Sequence, residues 1–392
     1  MIVHLFNSSL VSGPETLVIP SLPSLKKKVG EIEVWNLAEV RRGAAVEALL
    51  EYTKLFNVKT RAISVQAQFD SKAIQELADQ LKAVAPTIVH AHDVKASVYL
   101  ALAARKLGKD CTFKMITTHH GINARNGIKV RIYEWIYRFG FLKRFDAVLT
   151  VSSLDRETLI KHGFDPKRVM VHLNGVDRRK ITHNERFAVQ RSVREQWTKE
   201  LGITIRDKRL LAVAARLSPE KNHMLLLDAL ADFKKRVHDI PFLCICFGVG
   251  PLEAVLKART KELGLEDVVL WAGYRKNLSH DMPGMDLLLS LSVGEGLPIN
   301  LLEAGWSRTP ILATAVDGVN DLIPKEDPVL SLSRLEASPP AKVVSDRLEQ
   351  LLRRPDLRET LGEAFQKRVE ESFSGDAWER TLQAIYERVR AN

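Results

Sequence analysis

The sequence predicts an α/β protein made of two parallel-sheet domains in series. Three observations predict it. Short apolar strand-type runs alternate with longer helical patterns, as in sheets covered on both faces. The alternation runs through the first half of the chain and is repeated in the second. At 392 residues the chain is too long for one ordinary core, so two domains are expected.

In order along the first half, Ile2–Phe6, Ile32–Leu37, Thr87–Ala91, Phe113–Thr118, Ala147–Val151 and Val169–Val171 read as buried strands. Continuous apolar runs bounded by turn residues carry that reading. Helical periodicity fills Ser71–Val84 and Lys95–Leu107. In the second half, Arg209–Ala214, Phe242–Phe247, Val268–Trp271, Leu287–Leu291 and Pro310–Ala313 are the strands. Helices are expected at His223–Val237 and Pro251–Leu263. The polar stretch Asp177–Asp207, helical around Phe187–Glu200, reads as the hinge. The tail from Ala341 to Val389 is largely helical, with Phe373 and Trp378 as packing anchors. The expected division is 1–180, 181–372, and a C-terminal helix over 373–392 able to cross back to the first domain. Ligands of open α/β sheets bind beyond the carboxyl ends of the strands, at a switch point. Two such edges facing each other would form a central cleft.

Composition excludes several classes. With 45% hydrophobic and 27% charged residues, the chain is an ordinary folded protein. Cys111, Cys244 and Cys246 are odd in number and lack metal-type spacing with histidines, against a disulfide framework or a zinc site. The N-terminus reads as a first strand rather than a signal peptide, and no run approaches a membrane span. A cytoplasmic protein fits. The net charge of +10 is unevenly placed: residues 1–180 hold 28 Lys and Arg against 17 Asp and Glu, an excess of +11, and the remainder stands at −1. The first half is therefore expected to meet an anionic partner.

The most informative segment is Ser292–Thr314. Glu295 and Glu303 are separated by seven residues. Gly296, Leu297, Pro298 and Ile299 lead from the first into a helix, with Pro298 suited to its first turn. Unpaired amides there can donate to hydroxyls or phosphate oxygens. An ordinary helix start with a solvated Glu303 would look similar. Upstream, Arg216 and Lys221 flank another strand-to-helix transition, where two cations could clamp a diphosphate or merely be solvated. Phe247–Leu252 holds the Gly248-Val249-Gly250 turn, and Gly273-Tyr274-Arg275 follows the next strand.

In combination these segments resemble the Glu-x7-Glu and Arg/Lys motifs of the family-4 retaining glycosyltransferases, which have the GT-B fold of two Rossmann-like domains. The resemblance implies that Glu295 contacts the donor sugar and Glu303 the ribose. It further implies that the backbone of Gly296–Ile299 holds the sugar hydroxyls, and that Arg216 and Lys221 grip the donor diphosphate. Gly250 and Arg275 fall at donor-binding positions, with backbone near the base. Asn174-Gly175-Val176-Asp177 is similar to a family turn and serves as a landmark. Ser12-Gly13-Pro14-Glu15 resembles a family glycine loop but has Ser12 for its first glycine, with Gly13 left to approach the donor phosphate. In Thr117–Gly121, His120 matches the family histidine near the reacting carbon, and His119 competes with it. His90 and His92 are assigned to packing or the acceptor side. No metal site is expected of them, since no carboxylate cluster accompanies them.

Residues 126–144 form a basic amphipathic stretch in which Lys129, Arg131, Trp135, Arg138, Lys143 and Arg144 would face an anionic membrane surface or an acceptor, with Arg41, Arg42 and Lys26–Lys28 extending the patch. A core-facing stripe with a solvated basic face is the structural alternative. Nucleic acid is not expected, because no recognition motif appears. The resemblance implies transfer of a sugar from a nucleotide-sugar donor to a glycan or lipid-linked acceptor, without a cofactor or a required metal. The biological setting it implies is synthesis of bacterial surface polysaccharide or lipopolysaccharide. A non-hydrolysing nucleotide-sugar epimerase and a noncatalytic sugar-nucleotide-binding or membrane scaffold protein are the alternatives.

Overall fold

A computed structural model describes residues 1–8, 11, 13–39, 45–67, 69–119, 140–176, 180–205 and 207–391. The chain forms two compact units. Unit 1 is Met1–Gly175 with Gly375–Asn392, and unit 2 is Val176–Ser374.

Unit 1 begins β1 (Ile2–Phe6), α1 (Gly13–Val29), β2 (Ile32–Glu39), α2 (Ala45–Lys54), β3 (Thr60–Val65), α3 (Ser71–Val84), β4 (Ile88–Ala91) and α4 (Val94–Leu107). It continues with β5 (Lys114–His119), β6 (Ala147–Thr150), α5 (Ser153–Lys161) and β7 (Val169–Val171). Its seven strands lie in the order β3-β2-β1-β4-β5-β6-β7. Every pairing is parallel, with β1 in register between β2 and β4. The all-apolar or nearly all-apolar strands are buried, as parallel strands covered on both faces must be. Asp70 caps α3 by accepting from the amides of Lys72 and Ala73.

Unit 2 runs α6 (His183–Leu201), β8 (Arg209–Ala214), α7 (His223–Arg236), β9 (Phe242–Phe247), α8 (Glu253–Glu262) and β10 (Val269–Gly273). Then come α9 (Leu278–Asp281), β11 (Leu287–Ser290), α10 (Ile299–Trp306), β12 (Ile311–Thr314) and α11 (Asp317–Leu322). β13 (Arg334–Leu335), α12 (Ala341–Arg353) and α13 (Pro355–Ser372) complete it. The order is β10-β9-β8-β11-β12-β13, again all parallel. Strand order reverses between β8 and β11, which fixes where a ligand site belongs in this sheet. The last helix, α14 (Gly375–Ala391), is part of unit 1. It buries Trp378, Leu382, Tyr386 and Val389.

The segment read as a hinge is instead a packed part of unit 2. α6 starts at a reciprocal cap between Thr182 and Glu185 and buries Val193 and Trp197. Arg194 reaches Asp286 at 2.7 Å and the Gly284 carbonyl at 2.9 Å. Several elements carried no expectation: α1, α2, the partly exposed β3, α5, α9, α11 and the two-residue β13. Among the described residues, no helix is long and apolar enough to cross a membrane.

Candidate active site

In unit 2 the loops that leave β8 and β11 lie at the reversal of strand order and carry the two motifs with the most chemistry. Several contacts fix these loops to each other. The Val293 amide donates to the Glu220 carbonyl at 2.9 Å, and Asn300 Nδ2 donates to the Ala214 carbonyl at 2.8 Å. The start of α11 packs beneath: Gly318 N donates to the Glu295 carbonyl, and a Cβ on Gly318 would lie 2.4 Å from the Gly296 oxygen. Only glycine fits there.

Side chains from the two loops form two ion pairs. Lys221 Nζ donates to Glu295 Oε1, which also accepts from Ser292 Oγ at 2.7 Å. Both partners are largely enclosed, with side chains 21% and 13% exposed. Arg216 Nη2 donates to Glu220 Oε1 at 2.6 Å, and Ser218 Oγ donates to the same oxygen at 2.7 Å. Burial opposes ionisation of Glu220, but the Arg216 and Ser218 hydrogen bonds outweigh it and hold its pKa at about 2. Each of these two cations is therefore held by a carboxylate. Arg216 is more than half exposed and its Nη1 has no partner among the described residues. Asp317, half-buried beside this loop, has its pKa raised by burial, with the Glu295 charge adding to it.

The remaining expected donor positions are distributed as follows. Pro298 is the N-cap of α10 rather than a residue of its first turn, and no side chain caps that helix. Leu301 N donates to Asn300 Oδ1 at 2.9 Å and to the Pro298 carbonyl, while the Ile299 and Asn300 amides have no partner among the described residues and are open to a ligand or to water. Gly296 and Leu297 lie in the loop before it, and Ile299 is its first residue. Glu303 lies on α10 and lines a recess of about 390 Å³ with Ser279, His280, Trp306, Ile181 and Val189. The contacts of Glu295 lie with Lys221 and Ser292. The glycine turn lies tightly on the β8 loop. Gly248 has φ +146°, and a Cβ on it would stand 1.9 Å from the Ala215 oxygen. A Cβ on Gly250 would stand 2.4 Å from the Leu217 oxygen. The approach those glycines permit is thus of backbone to backbone, which holds the Arg216 loop in place. Arg275 is already committed: it pairs with Asp281, reaches Glu200 at 2.7 Å, and lies over the Trp197 ring. Its side chain is a structural tie, whereas the neighbouring Tyr274 is 76% exposed.

In unit 1, Gly13 opens α1. His119 ends β5 and is buried. His90 bonds the Tyr386 hydroxyl and Thr118 Oγ1, each at 2.8 Å, and His4 Nδ1 lies 2.9 Å from His92 Nε2. These three buried imidazoles could come together on an ion by distance alone. The Tyr386 hydroxyl joins two of them, His90 and His4, reaching His4 Nε2 at 3.2 Å, and His92 is bonded to His4 directly. Burial drives His4 down to about 3, so the ring is neutral at physiological pH. Lys143 and Arg144 are exposed on a short 3-10 turn. His120, Lys129, Arg131, Trp135 and Arg138 lie outside the described residues, as do Ser12, Arg41, Arg42 and Asp177. Sequence reasoning gave no role to Glu220, Ser292, Asn300, Asp317 or Gly318. Only the loop geometry brings them to Arg216, Lys221 and Glu295.

Comparison with known proteins agrees with this architecture. Residues 39–180 match the family Glycosyltransferase Family 4, and residues 194–368 match Glycosyl transferases group 1. The chain is 26% identical over 333 residues to the UDP-Gal:alpha-D-GlcNAc-diphosphoundecaprenol alpha-1,3-galactosyltransferase of Escherichia coli, covering 83% of this chain and 82% of that one. It is 28% identical over 303 residues to the N-acetyl-alpha-D-glucosaminyl L-malate synthase of Bacillus anthracis, covering 76% and 74%. Anabaena Alr3699/HepE, solved with UDP and glucose, shares the fold with a TM-score of 0.78 at 18% identity, covering 99% of this chain and 100% of that one. The lipopolysaccharide outer core galactosyltransferase WaaB in its apo form superposes with a TM-score of 0.68 at 19% identity, covering 99% of each chain. With a family-4 domain in its first half, a group-1 domain in its second and the GT-B architecture throughout, the chain belongs to the family-4 glycosyltransferases.

Proposed function

We propose that the enzyme transfers a hexose-type sugar from a UDP-sugar to a lipid-linked glycan, with retention at the anomeric carbon, during synthesis of bacterial surface polysaccharide. The observation that carries this reading is the pairing of Arg216 and Lys221 with two carboxylates at the strand-order reversal of unit 2. A donor diphosphate takes over both cations. It displaces Glu295 from Lys221, and that carboxylate turns to the sugar hydroxyls. The E. coli relative acts from UDP-Gal on a diphosphoundecaprenol-linked sugar, and HepE binds UDP; both favour this donor and acceptor class. The positive first half, with Lys143 and Arg144, suits an acceptor held at an anionic membrane surface, and we place the enzyme on the cytoplasmic side of that membrane.

In the transfer step the bond from the sugar C1 to the β-phosphate oxygen breaks, and its electrons pass to the phosphate. Arg216, Lys221 and the open amides of α10 stabilise that charge. The acceptor oxygen bonds C1 on the same face, and its proton goes to the departing phosphate oxygen. With two cations supplying the counter-charge, we assign the reaction no divalent metal.

Purified Arg216→Ala and Lys221→Ala variants should lose transfer from UDP-sugars by two orders of magnitude or more, since each charge-assisted contact is worth roughly 1.5–3 kcal/mol in the ground state alone. Both variants should remain folded and melt cooperatively, with stability lowered by about 1–2 kcal/mol through loss of an ion-pair partner, and EDTA should not slow the wild type. Wild-type turnover in either variant would refute the assignment. Alteration of the nucleotide sugar without any acceptor would mark an epimerase instead.

A further inference from the structure

The end of the second sheet opposite the diphosphate loops carries a cationic recess that sugar transfer does not use. β8 begins there with Arg209, preceded by Lys208. Together with Arg194 and Arg353 they line a recess of about 650 Å³, with Asp207 and Asp239 as its carboxylates. Asp239 is taken by a two-pronged contact with Arg353, at 2.7 and 3.1 Å. Arg194 is turned toward Asp286. The side chains of Lys208 and Arg209 have no hydrogen bond or ion pair among the described residues, though both are partly buried.

More positive charge lies behind this wall. Arg358 is buried and bonds the carbonyls of Leu351 and Leu352 at 2.6 and 2.9 Å. Its pKa is lowered, first by burial and then by Arg209, Arg186 and Arg194, despite the opposing Asp286 carboxylate. Like charges crowded against a partly desolvated wall repel one another, and a bound oxyanion would relieve that repulsion. A second recess, of about 770 Å³, shares Arg194 and Asp207 with the first. Most of its lining is polar or charged, with Gln190, Arg191, Glu195, Thr198 and Lys199, and its exposed apolar member is Phe187, which is 53% exposed. A cationic recess thus continues past the exposed ring of Phe187.

We propose that this double recess binds a phosphorylated amphiphile. Its phosphate oxygens meet Lys208 and Arg209, and its apolar body lies against the ring of Phe187. The phosphate could arrive on a lipid or on a nucleotide, and the test separates the two. It uses the full chain carrying Arg216→Ala and Lys221→Ala, which removes the diphosphate cations of the transfer site, so success or failure here is independent of the proposed transfer reaction. Farnesyl diphosphate, UDP and inorganic pyrophosphate are titrated at matched ionic strength while the melting temperature is followed, because a ligand of the native state raises it by mass action.

Farnesyl diphosphate is expected to give a saturable rise with half-saturation about tenfold lower than pyrophosphate, a difference of about 1.4 kcal/mol. Adding Lys208→Gln and Arg209→Gln should abolish the rise. Phe187→Ser should weaken farnesyl diphosphate about tenfold and leave pyrophosphate unchanged. A stronger response to UDP, lost in the same variants, would support the site and name a nucleotide as its occupant. Should the double Gln variant be too unstable to measure, Lys208→Gln alone must still raise the half-saturation point severalfold. A response equal for all three compounds, or one that survives the Gln substitutions, would overturn the proposal.

Discussion

Gly248 is the residue where backbone conformation and site geometry are most tightly joined. Its φ of +146° is open to glycine, and any Cβ would collide with the Ala215 carbonyl oxygen at 1.9 Å. Gly248→Ala should therefore destabilise unit 2 by about 3 kcal/mol or more, measured by urea denaturation, and should weaken UDP binding by moving the Arg216 loop. Unchanged stability would mean that the loop has another place to go. Glu220 offers a different test, through pH. Its pKa falls from 4.5 to about 2 on folding because Arg216 and Ser218 hold the ionised form against burial. A depressed carboxylate pKa contributes stability above pH 4.5 that is lost as pH falls toward 2. Glu220→Gln should cost about 1 kcal/mol at neutral pH, since the pair is partly exposed. It should also lose less stability than the wild type between pH 6 and pH 3, read from urea midpoints. Parallel pH curves for the two proteins would remove Glu220 as the counter-ion of Arg216.

Helices α6 and α9 meet the end of β10 through one guanidinium, and this element-scale tie changes the meaning of a residue that the sequence placed at the donor. Arg275 joins Glu200 on α6 to Asp281 on α9 across the face of Trp197. Removing it leaves Asp281, only 14% exposed, with the weak 3.4 Å contact from Trp197 Nε1. Arg275→Ala should cost about 2 kcal/mol in thermal or urea unfolding. The KM for the donor should stay within about twofold, because a group with no donor contact contributes nothing to its binding. A large rise in KM at unaltered stability would return Arg275 to the donor site. The elements legible in the sequence share a physical character. β1, β8 and β9 are apolar runs broken only by His4 in β1 and by Arg209 at the start of β8, and they occupy the residues expected of them. α1 was hidden by Pro20 and Pro23, which argue against a helix locally. Burial of Leu17, Val18, Ile19, Leu22 and Leu25 overrides that argument. β3 is an edge strand with three partly buried or exposed residues in its first half, so its apolar signal is faint. At the site, the spacing of Glu295 and Glu303 and the Arg216/Lys221 pair stood out because chemistry and spacing coincide. Their partners Glu220 and Ser292 are ordinary polar loop residues until the fold places them.

At the scale of the whole molecule, the two units differ in how the chain builds them. Unit 2 is one continuous segment, Val176–Ser374, with its own core around β8, β9 and β11. Unit 1 is discontinuous and requires α14 from the far end of the sequence. That helix supplies Tyr386, whose hydroxyl joins His90 and His4. It also supplies Glu379, which accepts from Lys28 at 2.8 Å and Ser24 at 2.7 Å. His172 Nε2 lies 3.1 Å from the Trp378 carbonyl. Without α14 the imidazoles of His4 and His90 would lose their hydroxyl partner and the face under Trp378 and Leu382 would meet water. Burial of such side chains is worth roughly 1.5–3 kcal/mol each, which together are comparable to a domain's usual margin of stability. A protein cut to residues 176–374 should therefore melt cooperatively and retain UDP binding. Residues 1–175 alone should fail to melt cooperatively by circular dichroism. Residues 375–392 joined to them through a flexible linker should restore the transition. The physical claim is that the last helix completes the first sheet's core, and a sharp melting transition in 1–175 alone would contradict it.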